Sequence, residues 1–385
     1  MSGHRGLTLV VGVNQTLTWG MTFYLPAVIA GPAGTTLGMS RAAILGAFSC
    51  ALLISGFCAP RVGKHIDRHG GRGILVASCA ISAAGMILLA AAQGMATWYA
   101  GWLVLGVGMS LGLYDVAFAT VGCLLGRNAT PVITGITLLA GLASTIFWPI
   151  GAKLVPALGW QGTLLCYAAV QIAINMPLVI AFVPAGLPRE SVAKTTPGSP
   201  QSVRRLAYAC LAIFFTLRWF ITSAIAVFVL PLLESLGATL DGAILVAALI
   251  GPGQVAGRMV EFALTSRTNL LTRARLAAFL SPISLLVLLI GGPIAAPLFA
   301  ILYGMSNGIL TINRGSLPMA IFGPAGYASL LGWLAVPVLL AQASAPTLAA
   351  PLVDTLSPQN LVIAAAAVCG LASLLLLPLR VPNAD

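Results

Sequence analysis

"PAGLPRESVAKTTPGSPQSVRR", residues 184–205, is the one long polar stretch in an otherwise apolar chain. It holds four prolines and five charged residues, with few apolar ones, and reads as a linker. Residues 1–183 precede it and 206–385 follow it, so it divides the chain into nearly equal halves. Hydrophobic residues make up 59% of the 385 and charged residues 7%, with a mean hydropathy of +1.02. A soluble domain carries roughly a quarter of its residues as Asp, Glu, Lys or Arg. This chain cannot assemble such a surface, and its solvent is a lipid bilayer.

Crossing about 30 Å of hydrocarbon takes about 20 mostly apolar residues. By that ruler the first half holds spans near 8–30, 42–61, 74–93, 97–125, 132–157 and 162–183. The second half holds spans near 206–233, 241–264, 274–292, 295–314, 326–350 and 361–379. Twelve spans in two sets of six is a layout that many secondary transporters share. The basic residues at 61–72, 127, 189–205, 267–275 and 380 fall on the side of the N-terminus, while the opposite side receives only Arg41 and Lys153. Lys and Arg mark the cytoplasmic side, so both termini are expected inside. The net charge of +11 is thereby explained by topology, with no nucleic-acid partner needed. Asn14 and Gln15 interrupt the first apolar run, which is too long for the core of a signal peptide, so the first span is expected to be retained. Seven cysteines lie inside apolar runs without metal-ligand spacing and read as inert buried thiols.

Between the second and third spans stands "GKHIDRHGGR", residues 63–72. With Gly63, Asp67, Arg68, Gly70 and Arg72 it resembles the G-x-x-x-D-R-x-G-R-R loop motif of the major facilitator superfamily, departing from it at Gly71, where a basic residue is usual. The resemblance implies an all-α membrane protein of twelve transmembrane helices in two six-helix halves, with the major facilitator fold. Gly63 and Gly70 would permit a tight turn, and the arginines would hold the loop inside. Asp67 would be stabilised at the N-terminus of another helix or by a cation such as Arg127. By resemblance that helix is span eleven, and the contact latches the cytoplasmic side shut in the outward-open state.

"LGATLDGAILVAALIGPGQVAGR", residues 236–258, is similar to span eight of the monocarboxylate transporters. Gly251 and Arg258 match that pattern, and Gln254 stands where those transporters carry an aspartate. The resemblance gives Arg258 an anion-binding role. Proton coupling does not carry over to position 254, because glutamine cannot titrate.

Charges inside a span cost about 2.5–3.5 kcal/mol each on insertion scales and are functional-site hypotheses by default. Asp115, Arg218, Arg258 and Glu261 stand out, and their charges sum to zero. Arg218 lies roughly 18–22 Å from either end of its apolar run, too far for its side chain to reach water. It needs an ion pair, for which Asp115 is the available acid, or an anionic ligand. Arg258 is only about 9 Å from the end of its run, and without the resemblance it reads as an interfacial anchor paired with Glu261 at i,i+3. Asp115 is the deep acid and the candidate for carrying a coupling proton. Spans one, four, seven and ten line the central path in the superfamily. This adds Asn14, Gln15 and Asn307 to the candidate substrate contacts, beside Gln254 of span eight, with Trp19, Tyr24, Tyr114 and Trp219 as an aromatic wall. Interhelical hydrogen bonding is the commoner role of such polar residues, Gln171 and Asn175 included.

The expected function is secondary active transport of a small organic anion of the monocarboxylate type, by symport with a proton or by exchange. The expected setting is the plasma membrane, the inner membrane of a bacterium, with the protein as a monomer. The alternative is a proton-coupled exporter of toxic or hydrophobic compounds, for which "AGLASTIFWPIGAK" supplies only Pro149 and Gly151 of the usual span-five pattern. No nucleotide-binding signature is present, and no cofactor, metal or enzymatic activity is expected. His4, His65 and His69 are expected in cytoplasmic segments, none of them placed for catalysis.

Overall fold

The computed structural model describes residues 2–185, 201–265 and 267–381, so most of the polar stretch at 184–205 lies outside the described residues. The described residues form helices and turns, with no strand among them. In chain order the helices begin with α1 (Ser2–Met21), α2 (Pro26–Leu37), α3 (Arg41–His69), α4 (Arg72–Ala90), α5 (Met95–Gly112) and α6 (Tyr114–Leu125). Next come α7 (Ala129–Ala140), α8 (Ala143–Val170), a π-helical turn at Gln171–Asn175 and α9 (Met176–Phe182). Then follow α10 (Gln201–Ser235), α11 (Leu240–Leu264), α12 (Leu270–Phe322), α13 (Tyr327–Thr355) and α14 (Pro358–Leu374).

Seven helical stretches among the described residues are long and apolar enough to cross a membrane. Two of them exceed a single crossing. The 53 residues of α12 would span roughly 80 Å at about 1.5 Å per residue. The helix is broken at Gly292, whose φ of 55° falls where residues with a Cβ are strained. Gly159, at φ 72°, breaks α8 in the same way. The two breaks fall at the junctions predicted between 274–292 and 295–314 and between 132–157 and 162–183.

Three predicted spans are interrupted where the sequence reads as continuous, the fifth, near 132–157, at residues 141–142. The first, near 8–30, is divided at residues 22–25, just before Pro26. A proline ring clashes with the carbonyl four residues back and has no N–H to donate, so the helix cannot run through it unchanged. The fourth, near 97–125, is divided at Leu113, whose ψ of −176° is extended rather than helical. That break places Asp115 in the first turn of α6 instead of in mid-helix. Unpaired N–H groups gather at a helix start, so this is the position where a carboxylate is best tolerated.

The chain forms two compact units, residues 1–193 with 323–339 and residues 194–322 with 340–385. The first unit is cored by Trp98, Trp102, Met21, Leu25, Phe147 and Tyr167, the second by Ile225, Leu233, Leu288, Phe299, Tyr303 and Cys369. Within each, glycine lets backbones touch. A Cβ placed on Gly253 would lie 2.7 Å from the Ile301 carbonyl oxygen, and one on Gly257 2.4 Å from that of Met305. From the other side, a Cβ on Gly304 would meet Ile250 O at 2.4 Å and one on Gly308 would meet Gln254 O at 2.2 Å. These contacts advance together along both chains, so α11 and the second part of α12 run parallel, with small residues four apart on both faces. Gly108 and Gly112 likewise lie against Ser82 and Ser78 of α4, where the numbers run in opposite directions and the two helices are antiparallel.

Overpacking a close contact of this kind costs about 1–3 kcal/mol. Gly257→Val should lower the thermal unfolding midpoint of the detergent-solubilised protein by several degrees. Gly251→Val, where nothing lies within 4 Å, should leave the midpoint unchanged.

Candidate functional site

Arg218 sits at the middle of α10, 1% exposed. One turn later on the same helix, Thr222 Oγ1 accepts from Arg218 Nη1 at 3.0 Å. From α12, Asn307 Oδ1 accepts from Nη2 at 2.5 Å. The guanidinium lies over the ring of Tyr303, with Cζ 5.0 Å from the centroid. Tyr303 and Asn307 are four residues apart and so share a face of α12, the face that receives Arg218. Every partner of Arg218 is neutral, its Nε is buried without a partner, and no carboxylate of its unit forms an ion pair with it among the described residues. A buried guanidinium carries a desolvation penalty of several kcal/mol. Two hydrogen bonds and a ring face reduce that penalty without neutralising the charge.

Arg258 on α11 is 5% exposed and makes no hydrogen bond among the described residues, and its Nε is buried. The pairing with Glu261 read from their spacing is overturned. Glu261 Oε1 instead takes Arg273 Nε at 2.9 Å, with both side chains buried. The reason is tertiary. Arg273 stands in the first turn of α12, where the chain has just reversed from the end of α11, and it also donates to the carbonyls of Leu264, Thr265 and Thr268. It thus caps the exposed carbonyls of α11 and neutralises Glu261 at once. Among the described residues Arg258 is left buried without an ion-pair partner. Gln254 is half-buried one turn before it, its backbone against Gly308, next to Asn307 in the chain.

Arg314 is the last residue of the span predicted over 295–314, an end position that assigns it no role. In the structure α12 continues to Phe322, which keeps Arg314 within the helix, its Cζ 5.4 Å from the Trp219 ring centroid. Thr222, Tyr303, Arg273 and Arg314 are therefore the residues that sequence reasoning missed. The first two are one helical turn from Arg218 and Asn307, a spacing that was available as a signal.

In the first unit, Asn14 and Gln15 belong to a buried network. Asn14 Nδ2 donates to Asn175 Oδ1 at 2.9 Å, and Gln15 Nε2 donates to Asn14 Oδ1 at 3.0 Å and to the Gly112 carbonyl at 2.7 Å. Asn175 Nδ2 reaches Gln171 Oε1 and Thr18 Oγ1. The break at Leu113 explains the Gly112 contact. Val116 N bonds the Leu113 carbonyl, so the Gly112 carbonyl loses its helical donor and Gln15 replaces it. Trp19 packs against Tyr114 at 4.7 Å and Tyr24 at 6.2 Å, whereas Trp219 belongs to the second unit.

The loop at 63–72 is also resolved into parts. Asp67 accepts from the backbone N–H groups of Ala328 at 3.0 Å and Ser329 at 2.8 Å, in the first turn of α13. Gly63 is not a turn residue: it lies within α3, and its missing side chain lets the Ala328 carbonyl approach. Gly70, at φ 80°, makes the turn itself. Arg68 is exposed, and Arg72 donates to the Ile180 carbonyl near the end of α9. At Gly71, where a basic residue is usual, a Cβ would lie 1.8 Å from Thr120 Oγ1, so this fold has no room for one.

Among the described residues, no group of three or more His, Cys, Asp or Glu is placed to hold a metal ion, and all seven cysteines are free thiols.

The chain has the major facilitator fold. It is similar to the crystal structure of the human organic anion transporter MFSD10 (TETRAN), with a TM-score of 0.77 at 17% identity over 97% of this chain and 99% of that one. It is also similar to the major facilitator proton:xylose symporter XylE bound to 6-bromo-6-deoxy-D-glucose, with a TM-score of 0.72 at 14% identity, covering 97% and 95%. No protein-family model and no curated protein sequence matches the chain.

Removing one partner of a buried ion pair costs about 3–5 kcal/mol, because the other charge is left buried. Arg273→Met should therefore destabilise the protein strongly, whereas Glu261→Met with Arg273→Met should recover most of the loss. Thermal unfolding of the two variants checks this, and equal losses would show that the pair carries no coupling.

Proposed function

We propose that the protein is a secondary active transporter of a small organic anion, working by alternating access between its two halves, 1–183 and 206–385. The observation that carries this reading is the pair of buried guanidinium groups, Arg218 and Arg258, with no carboxylate of their own unit paired to either among the described residues. Both come from one unit, and α11 and α12 are in register. By that register Arg258 is level with residues 306–312, and Asn307, the partner of Arg218, lies within that stretch. A substrate anion supplies the missing negative charge and satisfies the unpartnered donors, and its departure restores their cost. The likeness of 236–258 to a monocarboxylate-transporter span supports carboxylate as one such head group. The printed name of one structural neighbour, an organic anion transporter, points the same way. An exporter of hydrophobic compounds, in which Arg218 and Asp115 would form a coupling pair, leaves Arg258 unexplained.

Coupling to a proton is assigned to Asp115. It stands in the first turn of α6, and passage between surroundings that differ in burial or nearby charge is what would let a carboxylate take up and release a proton. Asp67 serves as the cytoplasmic latch, holding the start of α13 through two charge-assisted hydrogen bonds. The proposed setting is twelve spans with both termini inside, in the plasma membrane of a bacterium, as a monomer.

In reconstituted vesicles, Arg218→Gln and Arg258→Gln should each reduce uptake of small carboxylates by roughly ten- to a hundredfold, the scale of one lost charged hydrogen-bonding partner. Unchanged uptake in both would refute the reading. Asp115→Asn should retain exchange of labelled substrate and lose accumulation driven by a pH gradient. Persistent accumulation would remove the residue from coupling.

A further inference from the structure

We infer that Tyr303 is a substrate-binding residue, and that the site prefers anions with a tetrahedral head group, such as sulfonate or phosphonate, over planar carboxylates of equal size. This rests on the reading of Arg218 as an anion-binding residue. Tyr303 is 1% exposed, and its hydroxyl is buried without a hydrogen-bond partner. Buried hydroxyls are ordinarily paired, so an orphan of this kind calls for an absent acceptor. Its neighbour carries the same feature: Arg218, the cation over its ring, has a buried Nε without a partner. Two unanswered donors in one contact pair, one of them charged, define a place built for an acceptor group with negative charge.

The number of donors selects the shape of that group. A carboxylate gripped by the guanidinium fork has both of its oxygens engaged there. The phenol hydroxyl belongs to the ring whose centroid lies 5.0 Å from Arg218 Cζ, and it is a donor in addition to the N–H groups. A carboxylate held by the fork leaves it unanswered. A tetrahedral head group has a third oxygen to answer it. Asn307 and Thr222 hold the guanidinium in place, so it cannot turn to present its edge elsewhere. Discrimination of this kind is strong because a donor left unpaired costs free energy each time the wrong ligand binds.

The experiment compares labelled ethanesulfonate and propionate in vesicles containing the wild-type protein, Tyr303→Phe or Arg218→Gln. The phenylalanine variant keeps the ring under the guanidinium and removes only the hydroxyl. The wild type is expected to take up ethanesulfonate with a KM about tenfold below that for propionate. In Tyr303→Phe the sulfonate KM should rise about tenfold, with the propionate KM changed by less than twofold. Equal changes for both, no change for either, or a wild-type preference for propionate would overturn the inference and leave the anion reading in place. Uptake of both by Arg218→Gln, or of neither by the wild type, would instead overturn the anion reading. Thermal unfolding without ligand supplies a separate arm. Loss of an unpaired buried hydroxyl should leave the midpoint unchanged or raise it, whereas a marked fall would mean that the hydroxyl has a protein partner.

Discussion

Hydrocarbon offers no water to a backbone carbonyl or amide, so every interruption of a helix in this protein has to be answered from within the chain. The long polar side chains are largely deployed for that purpose. Gln15 donates to the carbonyl freed at Gly112, where α5 ends, and Arg273 to those at the end of α11. Arg275 donates to the carbonyls of Leu376, Leu377 and Leu379 beyond α14, and Asp67 accepts from the first N–H groups of α13. The polarity matches each end: cationic or amide donors meet C-terminal carbonyls, and the carboxylate meets N-terminal amides. Only 7% of its residues are charged, and Asp67, Arg273 and Arg275 among them answer helix ends.

Against that pattern Arg218 and Arg258 are exceptions. Among the described residues neither caps a helix end and neither is paired with an acid of its own unit, although burial makes both states expensive. Glu261 and Arg273 make the comparison direct, because the same helix pair that leaves Arg258 alone builds a closed ion pair about one turn away. Residues held in a costly state beside fully satisfied ones are where function is to be sought. The glycine contacts between α11 and α12 supply the rigidity that such a site needs, since backbone against backbone permits little adjustment.

Much of the fold is legible in the sequence because apolar length is a direct consequence of bilayer thickness. The positive-φ glycines at 159 and 292 fall where one apolar run was divided from the next. The motif at 63–72 is legible for a different reason, because its acid and its turn glycine do chemistry that other residue types cannot. The site is legible in part. Arg218 and Asn307 stand out because polar groups inside apolar runs are rare, and Tyr303 and Thr222 do not, because a tyrosine or threonine in a membrane helix is ordinary. The break at Leu113 is invisible, since a single glycine such as the one in "GLY" at 112–114 is frequent within continuous membrane helices.

By itself, then, the sequence determined the solvent, the helical class, the division into apolar runs and the depth of Arg218, all of which follow from residue type summed along one chain. Tertiary structure decided which acid meets which base. Glu261 has Arg258 three residues away and Arg273 twelve away, and it takes the farther one, because the reversal into α12 brings that guanidinium to the end of α11. It also decided that Asp115 begins a helix, and that Gly63 and Gly71 are small because Ala328 and Thr120 lie against them. Spacing along a helix sets only which partners are possible. The choice among them belongs to whichever segment the fold brings within about 3 Å, because in a low-dielectric interior a charge pairs with the donor that arrives in geometry and not with the one nearest in sequence.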